Sequence, residues 1–189
     1  LPEWLRLSWQ HYWGDEATDM IAGLAMLPPS LDISVAADAA HWAEKLDGKL
    51  LHGNTIRREF DGDPAQLDGF ADGAWWVQDA AAAMPARLLD QLAGKQVIDL
   101  CAAPGGKTAQ LIAAGADVTA LDSNRKRLDR LRRNLKRLNM PSKLVLSDGR
   151  SFVPETPVDA VLLDARCSAA GTIRRRPDIL GGRSSADIS

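Results

Sequence analysis

The sequence predicts an α/β protein in which a small α+β module precedes a doubly wound, mostly parallel sheet. Three observations carry that prediction. From Lys95 onward, apolar runs of strand length alternate with runs of helical period. Four of those strands finish in or beside an aspartate, at Asp99, Asp122, Asp148 and Asp164. A Gly-, Asp- and Pro-rich stretch, "FDGDPAQLDGFADG", divides this regular half from a less regular one, which places a domain boundary near Gly73 and gives domains over residues 1–73 and 74–189.

The elements follow in order. "PEWLRLSWQHYW" sets Leu5, Trp9 and Trp13 on one helical face, with Pro2 suited to a first turn. Asp15 is placed to cap a second helix running toward Leu27, where Pro28-Pro29 stops it. Helical spacing makes these tryptophans a packing face rather than a base-stacking platform. "SLDISV" reads as a strand, "AADAAHWAEKL" as a helix and "NTIRREF" as a strand. "AWWVQD" reads as a strand entering a helix through "AAAAMPARLLDQL", kinked at Pro85. Then come the strand "QVIDLC", the helix "GGKTAQLIAAG" ended by Gly115, the strand "DVTALD", the helix "SNRKRLDRLRRNLKRLN", and the strands "SKLVLSDG" and "VDAVLLDA". Such alternation implies right-handed crossovers and parallel strands.

Composition narrows the class. With 189 residues and 46% hydrophobic content, the chain fills one large domain or two small ones. Its apolar runs are short and interrupted, which predicts a cytoplasmic protein with no membrane span. Cys101 and Cys167 share no metal-ligand spacing, so neither a disulfide framework nor a metal site is expected, and His11, His41 and His52 are scattered. Residues 1–95 hold 15 acidic and 7 basic side chains, whereas residues 96–189 hold 10 acidic and 16 basic. A basic second half points toward a polyanionic partner or toward a solvated helix face.

"VIDLCAAPGGKTAQL" ends like a phosphate-binding P-loop, in Gly106-Lys107-Thr108. A P-loop needs glycine five positions before its Gly-Lys pair, but that position is Cys101, and Pro104 removes an N–H from the cradle. ATP and magnesium binding is therefore not expected. The small residues Ala102, Ala103, Gly105 and Gly106 would let a ligand approach the backbone beyond the strand ends. Asp122 lies 21 positions after Cys101, where a carboxylate can accept hydrogen bonds from a ribose diol. Carboxylates without a phosphate cradle suit a cofactor carrying ribose, adenine and a positive centre. S-adenosylmethionine has all three.

These residues resemble a known family. "DLCAAPGGKT", the "LD" at Asp122, "SDGR" and "LLDARCSAAGTIRRRPDI" look like the bacterial Sun/Fmu family of ribosomal RNA cytosine-5 methyltransferases. The likeness runs from about Trp76 to the end, includes Gln78-Asp79, and continues weakly upstream through "PPSLDISV". It implies a Rossmann-like methyltransferase domain behind a small RNA-binding module at residues 1–73. It also implies an S-adenosylmethionine site formed by Cys101, Ala102, Ala103, Pro104, Gly105, Gly106 and Lys107 with Asp122, Asp148 and Asp164. In such enzymes a thiolate adds to carbon 6 of a flipped cytosine, carbon 5 takes the methyl group, and a second cysteine assists release. The resemblance gives Asp164 the cytosine edge and Cys167 the release step. Attack by Cys167, or a purely structural role for it, are the other readings, and Cys101 reads as structural beyond its backbone.

The chain departs from that pattern twice. Arg166 stands where the family has proline, where it would either favour the Cys167 thiolate or disturb the turn. The sequence also stops before the family's Thr-Cys-Ser motif and its last strands, so a fragment inactive on its own is expected. Arg174, Arg175 and Arg176, beside the Cys167 loop, are the RNA-contact candidates, and the basic helix after Asp122 is left open between phosphate contact and solubility. Alternatives are a transfer RNA substrate, or a noncatalytic remnant that binds cofactor or RNA.

Overall fold

The computed structural model describes residues 1–165, 167, 169–182, 184 and 186; Arg166, with both of its expected effects, lies outside the described residues. The chain forms two compact units, one of residues 1–29 with 166–189 and one of residues 30–165.

In the first unit, α1 (Glu3–Ala25) is a single run broken at Gly14, whose φ of 79° and ψ of 171° are not helical. The two expected helices are thus continuous except at the residue that adopts positive φ at no steric cost. Leu5 and Thr18 are buried, and the Trp9 and Trp13 rings lie 5.6 Å apart. The Thr18 hydroxyl donates to the Gly14 carbonyl, and Asp15 accepts from Gln10, both at 2.8 Å. Residues Ala170–Thr172 and Pro177–Gly182 form short 3-10 turns. Arg174 fastens this segment to the end of α1 by donating to the carbonyls of Leu27 (3.3 Å) and Pro28 (2.7 Å).

The second unit opens with β1 (Leu31–Val35), α2 (Ala39–Lys45), β2 (Lys49–Leu50), β3 (Thr55–Arg58) and β4 (Trp75–Val77). They make an antiparallel sheet in the order β2-β3-β1-β4 over a core of Ile33, Ile56, Trp75 and Leu46. β4, expected to lead into a helix, pairs with β1, Ile33 facing Val77 and Val35 facing Trp75. Asp32, fully buried, is stabilised by Arg57 directly opposite on β3, through bonds of 2.7 and 2.8 Å, and by the Ala80 N–H. The helix expected over "AAAAMPARLLDQL" contracts to α3 (Met84–Arg87), because Pro85 can open a helix but cannot sit inside one.

β5 (Gln96–Leu100), α4 (Gly106–Ala113), β6 (Asp117–Asp122), α5 (Arg125–Arg137), β7 (Lys143–Leu146) and β8 (Ala160–Leu163) build the second sheet. All its pairs are parallel, in the order β7-β6-β5-β8, so strand order reverses beside β5. One face buries Val97, Val118, Ala120 and Leu162 under Leu111 of α4 and Leu128, Leu131 and Leu135 of α5. The apolar stripe of α5, at helical spacing, is what seats it there.

A clamp joins the two sheets. Arg137 at the end of α5 donates to the carbonyls of Phe70 (2.6 Å) and Trp75 (3.0 Å), and its guanidinium lies 3.9 Å from the Phe70 ring centroid. Gly73, at φ +72°, packs so closely that a Cβ would collide with the Arg137 carbonyl oxygen.

Candidate cofactor site at the strand ends

Leu100, Leu121 and Leu163 lie at one level across β5, β6 and β8, and Asp122 pairs with Leu146 of β7. The segment after β5 turns sharply there. Cys101 has φ +64°, the Ala103-Pro104 peptide is cis, and Gly105 has φ +108° before α4 begins. A positive φ at a non-glycine residue is a strained conformation of the kind that functional turns hold in place.

This turn is not a phosphate cradle. The Ala102 N–H donates to the Leu121 carbonyl (2.8 Å), the Ala103 N–H points at an Asp122 carboxylate oxygen (3.4 Å), and Pro104 has no N–H. The Lys107 ammonium is held by Asp164 at 2.6 Å. From the other side, Arg127 donates to the Ala103 carbonyl (2.6 Å) and Asn134 to the Pro104 carbonyl (2.8 Å), so α5 fixes both arms. The small residues serve packing first. Ala102 and Ala103 are buried, and a Cβ on Gly105 would come within 2.5 Å of Leu131.

The four aspartates divide into one inside and three at the rim. Asp99 sits one residue before the end of β5, level with Ala120 and Leu162, and accepts from the Thr108 hydroxyl at 2.6 Å. Burial pushes its carboxyl up to about 6, against the pull of the Thr108 hydrogen bond and the Lys107 charge. It braces α4 against β5 and does not line the rim.

Asp122, last in β6, is 2% exposed; it accepts from the Asn124 N–H at 2.9 Å and stands 3.3 Å from Arg127. Counting the Ala103 N–H, three donors address about four acceptor positions, which leaves room for a ligand hydroxyl. Asp148 follows β7 and is gripped by the Arg150 guanidinium and backbone N–H, which hold its carboxyl down to about 2. Asp164 follows β8, half exposed, on Lys107. α4 begins without a side-chain cap, so the N–H groups of its first turn face the same edge unsatisfied by any side chain.

Gln78 is buried against the start of α4, where a Cβ on Gly106 would stand 3.5 Å from its side chain, accepting from the Trp76 indole (2.8 Å) and donating to Gln110 (3.0 Å). Cys167 belongs to the first unit, is exposed, and accepts from the Ala169 N–H through sulfur at 3.3 Å. Arg176 is paired with Asp178, and Arg175 makes a contact of its own. Among the described residues no cluster of three metal-ligating side chains occurs, and no helix is long and apolar enough to cross a membrane. Sequence reasoning missed Thr108, Arg127 and Asn134. The helix periodicity that placed the leucines of α5 inward would have set Arg127 and Asn134 at its flanks, but not against this loop.

Comparison with known proteins gives consistent likenesses. The family described as 16S rRNA methyltransferase RsmB/F matches residues 86–189. Ribosomal RNA small subunit methyltransferase B of Erwinia tasmaniensis is 38% identical over 193 residues, covering 100% of this chain and 41% of that protein. The chain thus spans about two fifths of the length of that relative. Among solved structures, the protein PH0851 is 26% identical with a TM-score of 0.88, over 99% of this chain and 46% of its own. NSun6 from Pyrococcus horikoshii, crystallised with SFG, is 19% identical with a TM-score of 0.83, over 99% and 75%, and shares the fold.

Proposed function

Because the chain belongs to the RsmB/F family of 16S rRNA methyltransferases, we propose that it serves methyl transfer to carbon 5 of a cytosine in ribosomal RNA. The methyl donor is S-adenosylmethionine. When bound, this group supplies an electrophilic methyl on a cationic sulfur. One observation supports the site most directly: three carboxylates, Asp122, Asp148 and Asp164, stand around a turn whose Ala102 and Ala103 N–H groups are spent internally and whose Pro104 has none, leaving only the uncapped first turn of α4 for an anion. That arrangement suits a cationic nucleoside and offers little to a polyphosphate.

The residues divide the work as follows in this reading. Asp122 accepts the ribose hydroxyls, held for that by Asn124 and Arg127. The uncapped first turn of α4 accepts the donor's carboxylate, since helix N-termini favour anions. Cys101 to Lys107 form the wall and Asp148 the next strand end. Asp164, oriented by Lys107, holds the cytosine edge. Cys167, three residues further along, assists release of the methylated base, with Arg174 to Arg176 on the RNA side. Residues 1–73 serve as the RNA-binding module and residues 74–189 as the methyltransferase domain. Covalent attack needs a second cysteine, and no Thr-Cys-Ser occurs in these 189 residues. Methyl transfer by this chain alone is therefore not expected, whereas cofactor binding is.

Isothermal titration tests this. S-adenosylmethionine should bind, Asp122→Ala should weaken it by at least about tenfold, the worth of a hydrogen bond to a charged group, and ATP with magnesium should not bind. Binding of ATP with magnesium and not of the methyl donor, by folded protein, would overturn the reading.

A further inference from the structure

The outer face of α5 is cationic beyond what its fold needs. The helix carries eight basic residues and one acid in a chain of net charge −2, so the other residues sum to −9. Three of the eight are committed inside the molecule: Arg127 to the cofactor turn, Arg132 to Asp129, and Arg137 to the clamp. The remaining five, Arg125, Lys126, Arg130, Arg133 and Lys136, have no described ion pair or hydrogen bond. At 100° per residue they occupy one side of the helix, opposite Leu128, Leu131 and Leu135.

Their placement works against the helix itself. Lys126 and Arg130 are like charges at i,i+4, as are Arg132 and Lys136, and such pairs destabilise a helix. Arg125 and Lys126 stand in the first turn, where the macrodipole disfavours cations. A face kept only for solubility mixes both signs. This one holds five cations to a single acid, Asp129, which is already paired with Arg132, and an anion laid along it would relieve the repulsion that remains.

We propose that this ridge is a second RNA contact outside the catalytic pocket, gripping backbone phosphates without reading sequence. It runs about 20 Å, the length of 13 helical residues, starting next to Asn124 at the cofactor edge. It ends at a cleft of about 330 Å³ lined by Lys136, Asn139, Met140, Ser142 and Leu144 near the start of β7. Arginine predominates, as phosphate recognition favours. The inference rests on the RNA-directed reading above but not on any residue of the cofactor site.

The test compares three forms of the full chain binding a fluorescently labelled ribosomal RNA stem-loop across a salt series. They are wild type, the ridge double variant Arg130→Gln/Arg133→Gln, and a charge-matched double variant Lys95→Gln/Lys143→Gln at cations already paired with Asp159 and Glu155. The ridge variant should bind several-fold more weakly, and its log K against log salt slope should be shallower by about 1.5, two contacts at roughly 0.7–0.9 each. Its affinity for S-adenosylmethionine and its melting temperature should match wild type. Equal weakening in both variants would reduce the effect to net charge and overturn the proposal, as would an unchanged slope. If wild type itself bound no RNA, the RNA-directed reading would fall along with it.

Discussion

Asp99 and Asp122 look alike in the sequence, each an aspartate at the end of an apolar strand, yet one is a brace and the other faces the rim. The difference is two residues of register: Asp99 is level with Ala120 and Leu100 still pairs after it, whereas Asp122 lies two positions further along and nothing in β6 follows it. Strand ends are uncertain by that much from sequence, so the presence of the aspartates was legible and their facing was not. The consequence can be measured. A carboxyl raised from 3.8 to about 6 by burial binds its proton more tightly folded than unfolded. Its stabilisation is full below about pH 4 and is lost as pH rises through 6, by up to about 3 kcal/mol for two pH units. Asp99→Asn, which cannot ionise, should therefore flatten the urea-unfolding stability between pH 4 and 7 relative to wild type. Parallel curves for the two proteins would mean that Asp99 is solvated. Asp148, held near 2, titrates below that window.

Among elements, β1 and the whole alternation from β5 to β8 were legible because each strand is a largely apolar run and each helix carries apolar residues at helical period, and β3 because β-branched Thr55 and Ile56 follow the Gly53-Asn54 turn. β2 was not, being two exposed residues whose pairing is set by β3. The pairing of β4 with β1 was hidden for a related reason, since a three-residue strand carries no periodicity. What fixes β4 is the clamp, and the clamp makes its own prediction. Gly73→Ala adds a Cβ against the Arg137 carbonyl at a positive φ, and should cost at least about 2 kcal/mol in chemical denaturation. A loss within experimental error would show that the turn relaxes freely. Asn134→Ala removes one tether of the Pro104 carbonyl from a partly exposed position. It should raise the Kd for S-adenosylmethionine several-fold while melting shifts little, about 1 kcal/mol or less; unchanged binding would mean the turn is rigid without it.

At the scale of the whole chain, the sequence conveyed the order of sheets and the gathering of carboxylates at one edge, but not how charge is spent. Counting arginines does not tell which ones the fold engages; Arg127 and Arg174 donate to backbone carbonyls, and Arg130 does not. Nor does it show which apolar residues stay bare. On β8, Val161 is 51% exposed and Leu163 63%, on the side facing away from Leu162, and among the described residues β8 pairs with β5 alone. Such an edge favours strand-to-strand association, so this chain should self-associate with rising concentration in sedimentation equilibrium, and Val161→Lys should reduce it. β5, finally, is both an inner strand of its sheet and the first of the four in the chain. During synthesis, β6, α5 and β7 are laid against a strand already present, and the turn held by Asp122, Arg127 and Asn134, with Asp148 beyond β7, is complete once residue 148 has emerged. Asp164 follows 16 residues later, about one to three seconds at ribosomal rates. The donor's side of the pocket is thus finished before the side that meets the base, and a nascent chain can hold its small ligand before it has anything with which to hold RNA to it.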